Sequence, residues 1–449
     1  MAYTSPTLAQ AQAALAARLY DPSNVYWTAA ELTVYLRESL RWWNAATSHF
    51  RESASFPLTM AQAIFDLPTV LPTLRAQSVT NWDLVTDLQY ALLEPPAAGG
   101  TWTGTDQFDL TVLSTAIQRR RDQFLRETGA VLSSLATVFV ANATGRFELA
   151  ENVLIVRTAD WIPNATLLRL PLLKTDEWAA NTFAPAWPSG AIGSITSVPP
   201  IAYSVSVTPP LFIQVIPPPA TDGVLDAVTI NAGAAINPVI NLSLGVPDDW
   251  AWVIKFGALA DLLQQDGLAL DAQRADYCEQ RWRQGIDQAK KASVVLTARI
   301  NGSTIRLASL ADATTFTPLW QLLTGPPQTL LTAGHTLIAC SPPAGGGGPY
   351  TALLDVVRNA PVPAAGGDIL QISQDVYDSI LDYAQHLALF KQGAGQLQLA
   401  TALLVRAATA AGVDLRLQQA SQPSRVPLLS QSLQDEHVEP REEEAIPVS

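Results

Sequence analysis

Apolar residues recur at helical spacing most clearly between Val246 and Gly285. Trp250, Val253, Ile254, Leu259, Leu262 and Leu263 stand at steps of three, four or five, which places most of them on one buried helical face. Pro247 favours extended backbone before it, and Asp248 or Asp249 can accept from the free amides of the first turn. Gly267 interrupts the run. Asp271 starts a second helix, with Ala275, Tyr277, Cys278 and Trp282 set among Arg274, Glu279, Arg281 and Arg283. The stretch reads as scaffold, two amphipathic helices in succession.

The same spacing returns later in the chain. Ile380, Ala384, Leu389 and Gly393 stand at the offsets of Ile254, Ala258, Leu263 and Gly267, and both stretches begin on an acidic residue, Asp249 and Asp375. Each follows a strand-like run and a proline-rich loop: Leu211 to Ile216 with Pro217 to Pro219, then Leu353 to Val357 with Pro361 and Pro363. This predicts a duplicated strand, loop, strand, helix unit.

Towards the N-terminus, Leu8 to Leu19 is an alanine-rich helix. Thr28 and Glu31 have the spacing of a capping box, with Trp27 and Leu32 as the hydrophobic staple. The helix they open buries Leu32, Tyr35, Leu36, Leu40 and Trp43 and leaves Arg37, Glu38 and Arg41 mostly in water. A helix near Trp82 to Leu92 precedes a turn-rich stretch, Glu94 to Gly104. Another runs from about Phe108 to Thr128 and ends on Gly129. Strands follow at Val153 to Val156, Leu167 to Leu173, Ile201 to Val207 and Leu211 to Ile216. Asn301-Gly302 between Val294 to Ile300 and Thr304 to Leu307 predicts a hairpin with a type I′ turn. Helix returns between about Val376 and Leu417. The expected fold class is α+β. Its segments are a helical N-terminal region (1–146), a central antiparallel β-sandwich-like domain (147–245), an amphipathic helix pair (246–292), a smaller β-unit (293–365), C-terminal helices (366–420) and an extended acidic arm (421–449).

Composition sharpens this picture. Of 449 residues, 48% are hydrophobic and only 15% charged, with 12 Trp and 32 Pro, a balance suited to burial against other subunits. The net charge of -13 argues against tight sequence-independent binding to phosphates. It leaves room for an acidic passage through which DNA slides. Cys278 and Cys340 alone make neither a disulfide framework nor a four-thiolate metal site, and the expected compartment of synthesis is reducing. Met1 to Tyr20 has no basic segment followed by an apolar one, and no apolar run is long enough to span a bilayer.

Candidate chemistry is sparse. The histidines His49, His335, His386 and His437 include no pair at i, i+4. His386 reads as a satisfied core or interface histidine. His335 and Cys340 have no apparent third metal ligand. Gly345 to Gly348 is not followed by the Lys-Ser or Lys-Thr of a phosphate-binding loop. Asp248 and Asp249 are better explained as helix caps than as a glycosidase dyad. Arg119, Arg120, Arg121 and Arg126 suit either an anion patch or a solvated face with intersubunit ion pairs, and the acidic chain favours the second. No catalytic residue, cofactor or metal is expected, and the chain is not read as an enzyme.

Several strings carry a resemblance. They are Trp27 to Leu32 (WTAAEL) with Tyr35, Arg41 and Trp42; Arg120 to Gly129 (RRDQFLRETG); Val246 to Gly267 (VPDDWAWVIKFGALADLLQQDG); Tyr277 to Gly285 (YCEQRWRQG); and Tyr383 to Gly393 (YAQHLALFKQG). Together they resemble the head-to-tail connector or adaptor-like proteins of tailed bacteriophages, although the chain is longer and richer in β-structure than the small helical adaptors. The resemblance implies a ring subunit of the virion neck or tail, made in the bacterial host cytoplasm. Its partners would be further copies of itself in a cyclic homo-oligomer and the portal, neck or tail proteins. Double-stranded DNA would be only passing cargo, and no membrane is involved. The candidate assembly interface comprises Trp27, Trp43, Arg119, Arg120, Arg121, Trp250, Trp252, Trp282, Glu442, Glu443 and Glu444. The alternative is a peripheral tail or baseplate component that recognises host surface glycan through exposed Trp178, Trp187 and Tyr203. A third reading is a carboxylate-dependent hydrolase.

Overall fold

A computed structural model describes residues 5–60, 62–93, 108–139, 145–164, 169–176, 178–179, 182, 199–206, 211–265, 270–310, 312–313, 320–321, 324–346, 348–413 and 415. The arm 421–449 with Glu442, Glu443 and Glu444 lies outside the described residues, as do Trp187, Gly267 and Glu94 to Gly104. The chain is an α+β protein with helices and antiparallel or mixed sheets.

Helix α1 (Leu8–Arg18) opens on a full capping box: the Thr7 hydroxyl accepts from Gln10 N, and the Gln10 side chain accepts from Thr7 N. In α2 (Ala29–Thr47) the stripe Leu32, Tyr35, Leu36, Leu40 and Trp43 is buried, and Thr28 accepts from Glu31 N. Glu31 does not complete the box. Its carboxylate is buried, accepts from the Tyr35 hydroxyl at 2.6 Å and pairs with Lys391 at 2.8 Å. Glu38, expected in water, is buried as well.

Strands β1 (Arg51–Leu58) and β2 (Ile64–Asp66) and the short helices α3 (Leu67–Val70) and α4 (Pro72–Arg75) lead to α5 (Asn81–Ala91), α6 (Leu110–Thr128) and β3 (Leu132–Phe139). Then come β4 (Arg146–Glu148), β5 (Val153–Pro163), β6 (Leu170–Lys174), β7 (Ala202–Val205), β8 (Phe212–Ile216) and β9 (Gly223–Asn231). A 3-10 turn (Asp248–Trp250) leads into α7 (Ala251–Leu263), followed by α8 (Ala272–Lys291). Helix α7 is buried nearly all round rather than on one face, the pattern of a helix at the centre of a core. The chain closes with β10 (Val295–Ile300), β11 (Ser303–Thr304), β12 (Arg306–Ser309), β13 (Thr329–Ala333), β14 (Leu337–Ser341), β15 (Tyr350–Val357), α9 (Gln374–Phe390) and α10 (Leu397–Ala410). Asn301 and Gly302 have φ of 48° and 85°, as a type I′ turn requires. The hairpin is short because β12 leaves to pair in parallel with β13.

The duplication foreshadowed by Ile254 and Ile380 extends through the whole architecture, but with other strand partners than expected: Leu353 to Val357, in β15, answers to β9, and Leu211 to Ile216, with β8, answers to β14. α1 and α5 are each 11 residues long, and both open on capping boxes, at Thr7 and Thr80. Thr7 bridges Ile369 and Thr80 bridges Ser243. Leu8 N donates to Asp368 O and Leu370 N to Pro6 O; correspondingly, Asn81 N donates to Leu242 O and Leu244 N to Val79 O. Tyr20 and Leu93, at matching positions, both have positive φ. α2 and α6 are each 19 residues long and end in left-handed residues, Ser48 and Gly129, before strands of 8 residues. The sheet order β1-β15-β10 matches β3-β9-β5, and β2-β14-β13-β12 matches β4-β8-β7-β6, including a parallel last pair in each. Phe65 pairs with Ile338 as Phe147 pairs with Ile213.

The copies are nested. The outer copy consists of α1, α2, β1, β2, β10 to β15, α9 and α10; the inner copy, α5 to α8 with β3 to β9, is inserted between β2 and β10. The linear partition expected from sequence therefore cuts across real units. The boundary at 146–147 separates β3 from the seven-stranded sheet in which it pairs with β9. Three apolar clusters follow the same logic. One fills the inner sheet around Trp161, Tyr203 and Ile213, and one lies between the two outer sheets around Phe56, Ile338 and Leu354. The largest runs through the helices of both copies.

Candidate functional site

The densest polar constellation lies where the helices of the two copies meet. Lys255 sits in the middle of α7, and its ammonium pairs with the carboxylate of Glu38 on α2, both side chains buried. Asp87 on α5 shares this site. Burial, with a smaller contribution from Glu38, raises its pKa to about 7 against the opposing pull of Lys255 and Arg41. One cation thus stands among two carboxylates contributed by both copies.

A second node holds the start of α7. Asp249 accepts from Asn44 Nδ2 at 2.8 Å and from Ala360 N at 3.3 Å, with the Arg75 guanidinium 3.8 Å away. Burial raises its pKa to about 6, opposed by Arg75 and these hydrogen bonds. Asp248 accepts from Ser78 N at 2.8 Å and Val79 N at 2.9 Å. The pair are therefore not caps of their own helix, as expected, and their burial keeps them from serving as an open dyad. They fasten distant loops to the head of α7, Asp249 across the junction between copies.

The third node is aromatic. The Tyr277 hydroxyl and His386 Nε2 are 3.0 Å apart, and His386 Nδ1 lies 2.9 Å from Ala400 O. A carbonyl only accepts, so Nδ1 donates and Nε2 accepts from Tyr277. Burial, with Arg281 nearby, depresses His386 to about 3, which keeps it neutral. Arg281 donates to the Tyr383 hydroxyl at 2.9 Å and lies over the Trp252 ring at 4.8 Å. Phe256 and Phe390 complete the contact with ring centroids 6.1 Å apart.

The expected assembly residues are mostly elsewhere than on a surface. Trp27, Trp43, Trp250, Trp252 and Trp282 are all buried in the protomer, because their rings fill its helical core. A ring consumed by its own core cannot also face a neighbour. The arginines are divided by the turn of α6. Arg120 pairs with Asp261 at 2.5 Å and Glu279 at 3.2 Å, and lies over Trp282 at 5.2 Å. Arg121 is buried and donates to Ala234 O at 2.6 Å. Arg119 and Arg126 stay open, the Arg119 side chain 69% exposed with its Nε 3.8 Å from Asp261. Arg120 and Arg121 are thus engaged within the protomer. Of the aromatic residues offered for glycan, Tyr203 is buried, with its hydroxyl donating to Arg157 O, whereas Trp178 is 87% exposed.

A cavity of about 550 Å³ opens between the inner sheet, α8 and the β13–β14 turn. Arg157 and Lys290 line it together with the hydroxyls of Thr128, Thr158 and Ser309, and no carboxylate is among its lining residues. His335 closes one wall. Its Nε2 donates to Ala289 O at 3.0 Å, and burial, chiefly, depresses it to about 4, leaving a neutral imidazole. Such a wall can attract an anion but holds no activated base. Among the described residues no group of three His, Cys, Asp or Glu could hold a metal ion, and no helix is long and apolar enough to cross a membrane.

Sequence reasoning missed Lys255, Glu38, Asn44 and Arg75. One signal was present: a lone lysine inside WVIKFGALADLL has no water to reach, so a buried carboxylate had to lie opposite. No protein-family model matches the chain, and no curated protein matches it either.

Proposed function

We propose that the chain is a virion structural protein, a subunit of a ring in the neck or tail of a tailed bacteriophage that joins the portal to the tail and leaves a channel for DNA. The observation that carries this reading is the way the two copies meet. Besides α1 and α9 of its own copy, α2 packs on the 3-10 turn, α7 and α8 of the inner copy, while the counterpart helix α6 has α5, α7 and α8 of its own copy as helix partners. Unlike surfaces meet, head to tail, and contacts of that kind repeat around an axis instead of closing as a pair. The resemblance of the helical segments to connector proteins points the same way. The work is mechanical, with no reaction assigned, and the acidic balance suits a channel wall that makes no lasting contacts with phosphates. Co-expression with the portal and tail proteins of the same genome, followed by mass measurement and electron microscopy, tests the proposal. A ring stacked on the portal is expected. A chain that ignores these partners, or that binds DNA tightly at physiological salt, overturns it.

Trp178 favours a second reading, a peripheral tail or baseplate component. It stands open four residues after the end of β6; Leu173 of that strand and Ile201, joined by a backbone hydrogen bond, are also exposed. An exposed aromatic ring suits stacking on a sugar face. Host glycans bound by the intact chain and lost in Trp178→Ala would move the assignment there.

A further inference from the structure

The duplication supplies an internal control for the cavity between the inner sheet, α8 and the β13–β14 turn. In β5 the register passes from Val156 opposite Thr229 to Thr158 opposite Val228, so Arg157 is the extra residue of a bulge. In β10 it passes from Val295 opposite Val356 to Thr297 opposite Asp355, and the extra residue is Leu296. The pairings of β3 with β9, from Leu132 opposite Ile230, and of β1 with β15, from Arg51 opposite Val357, make these two bulges equivalent positions. The bulge is common to both copies, and its side chain is not.

Two further exchanges surround it. Asp355 accepts from the hydroxyls of Ser53 and Thr297 in the outer copy, whereas Val228 stands at the matching place in the inner one and leaves Thr158 without that acceptor. Ser48, the left-handed residue after α2, is matched by Gly129 after α6. A Cβ on Gly129 would lie 3.0 Å from Arg157 Nη2, so the missing side chain makes room for the guanidinium. Lys290, near the end of α8, lines the same cavity, and among the described residues neither cation pairs with a carboxylate. The facing wall belongs to the outer copy and is fixed in place: His335 N donates to Ala130 O at 2.7 Å, and Leu132 N to Thr336 Oγ1 at 2.9 Å. The cavity is therefore pre-formed.

We infer that this cavity binds a small organic oxyanion, a carboxylate or a phosphate monoester, with Arg157 and Lys290 taking the charged group. The planar guanidinium matches either group with two parallel donors, and Lys290 adds a point charge. Leu132, Val228 and Leu310 offer an apolar surface to the rest of the ligand. A volume of about 550 Å³ lies within the range of small-molecule sites, about 300–1,000 Å³. Binding here is independent of how the chain assembles.

Calorimetric titration of the intact chain at low salt, with phenyl phosphate and benzoate in parallel, tests the site and distinguishes the two head groups. One site per chain is expected. Arg157→Leu, which installs the residue of the outer bulge, and Lys290→Met should each weaken binding by about tenfold or more. Arg157→Lys should fall between, since it keeps the charge and loses the fork. Lys291→Met, next in sequence but outside the cavity lining, should leave affinity within about twofold. The variants should fold as the native chain does, because Arg157, Lys290 and Lys291 are all exposed. Benzylamine, of similar size and opposite charge, should not bind. Binding of neither anion, binding that survives both substitutions, or equal binding of benzylamine overturns the inference. So does capture of a peptide with the sequence of residues 435–449 but of neither small anion, which would make the acidic end of the chain the occupant.

Discussion

Lys255 and Glu38 form a buried ion pair that spans the two copies of a duplicated module. Removing one partner strands the other charge away from water. Glu38→Gln should therefore destabilise the chain by about 3–5 kcal/mol, at the lower end where Asp87 takes over part of the pairing. Replacing both by apolar residues, Glu38→Leu with Lys255→Met, should cost far less than the sum of the single changes. Urea unfolding of the four proteins in a double-mutant cycle measures the difference.

The pH dependence of stability has two opposing sources. Asp87 and Asp249 are raised to about 7 and about 6 from an ordinary value of 3.8. The folded chain then holds protons that the unfolded chain has released, so their contribution is complete below 3.8 and is lost as pH rises through 6 and 7. His335 and His386 run the other way. Depressed to about 4 and about 3 from 6.5, they stabilise above 6.5 and lose that contribution as pH falls towards their folded values. A shallow profile between pH 4 and 6.5 is expected for the native chain. Asp87→Asn should make stability climb more steeply with pH across that window. Urea midpoints taken at half-unit steps decide it; parallel curves would show that Asp87 does not titrate there.

Gly257 lies beneath the Trp282 ring, where an added Cβ would come within 2.6 Å of it. Alanine improves helix propensity by up to about 1 kcal/mol, but overpacking costs about 1–3 kcal/mol, so Gly257→Ala should be destabilising on balance. Trp282→Leu in the same chain should recover part of the loss, visible as a shift in the thermal midpoint. At the matching positions of the outer copy stand Tyr383 and Ala408, the large and small residues exchanged.

Both thiols should be silent. Burial pushes Cys340 up to about 12 and Cys278 higher still, and both side chains are inaccessible. A thiol reagent should titrate neither in the native chain and both after denaturation. Reaction of either in the folded protein would mean that the core opens around it.

The helices were legible because their signals are local. Thr28 marks the start of α2, Gly129 the end of α6 and Asp271 the start of α8, each through a side chain or backbone conformation acting within one turn. The strands β1, β3 and β9 were not anticipated. RESASFPL carries its two buried residues, Phe56 and Leu58, only at its end, and β3 and β9 are defined by pairing with partners about a hundred residues apart. The duplication showed through four matched sequence positions, three of them on α7 and α9, yet the nesting did not, because an insertion between β2 and β10 leaves no local mark. The junction between copies was hidden for a related reason. Glu38 looks like a solvated residue on any helical wheel, and only the arrival of Lys255 from the other copy puts it in the core.

Nesting also orders the making of the molecule. β1 pairs along its whole length with β15, from Arg51 with Val357 to Leu58 with Tyr350. During synthesis β1 leaves the ribosome long before its partner exists, whereas every strand of the inner copy finds its neighbours within a shorter span. The inner copy can therefore close first and serve as the template on which the outer one assembles. The equilibrium cost of the long closure is modest, about 0.6 kcal/mol for each doubling of the loop. Its kinetic side is heavier, because an unpaired edge at Arg51 to Leu58 stays open to other nascent chains until residue 357 emerges.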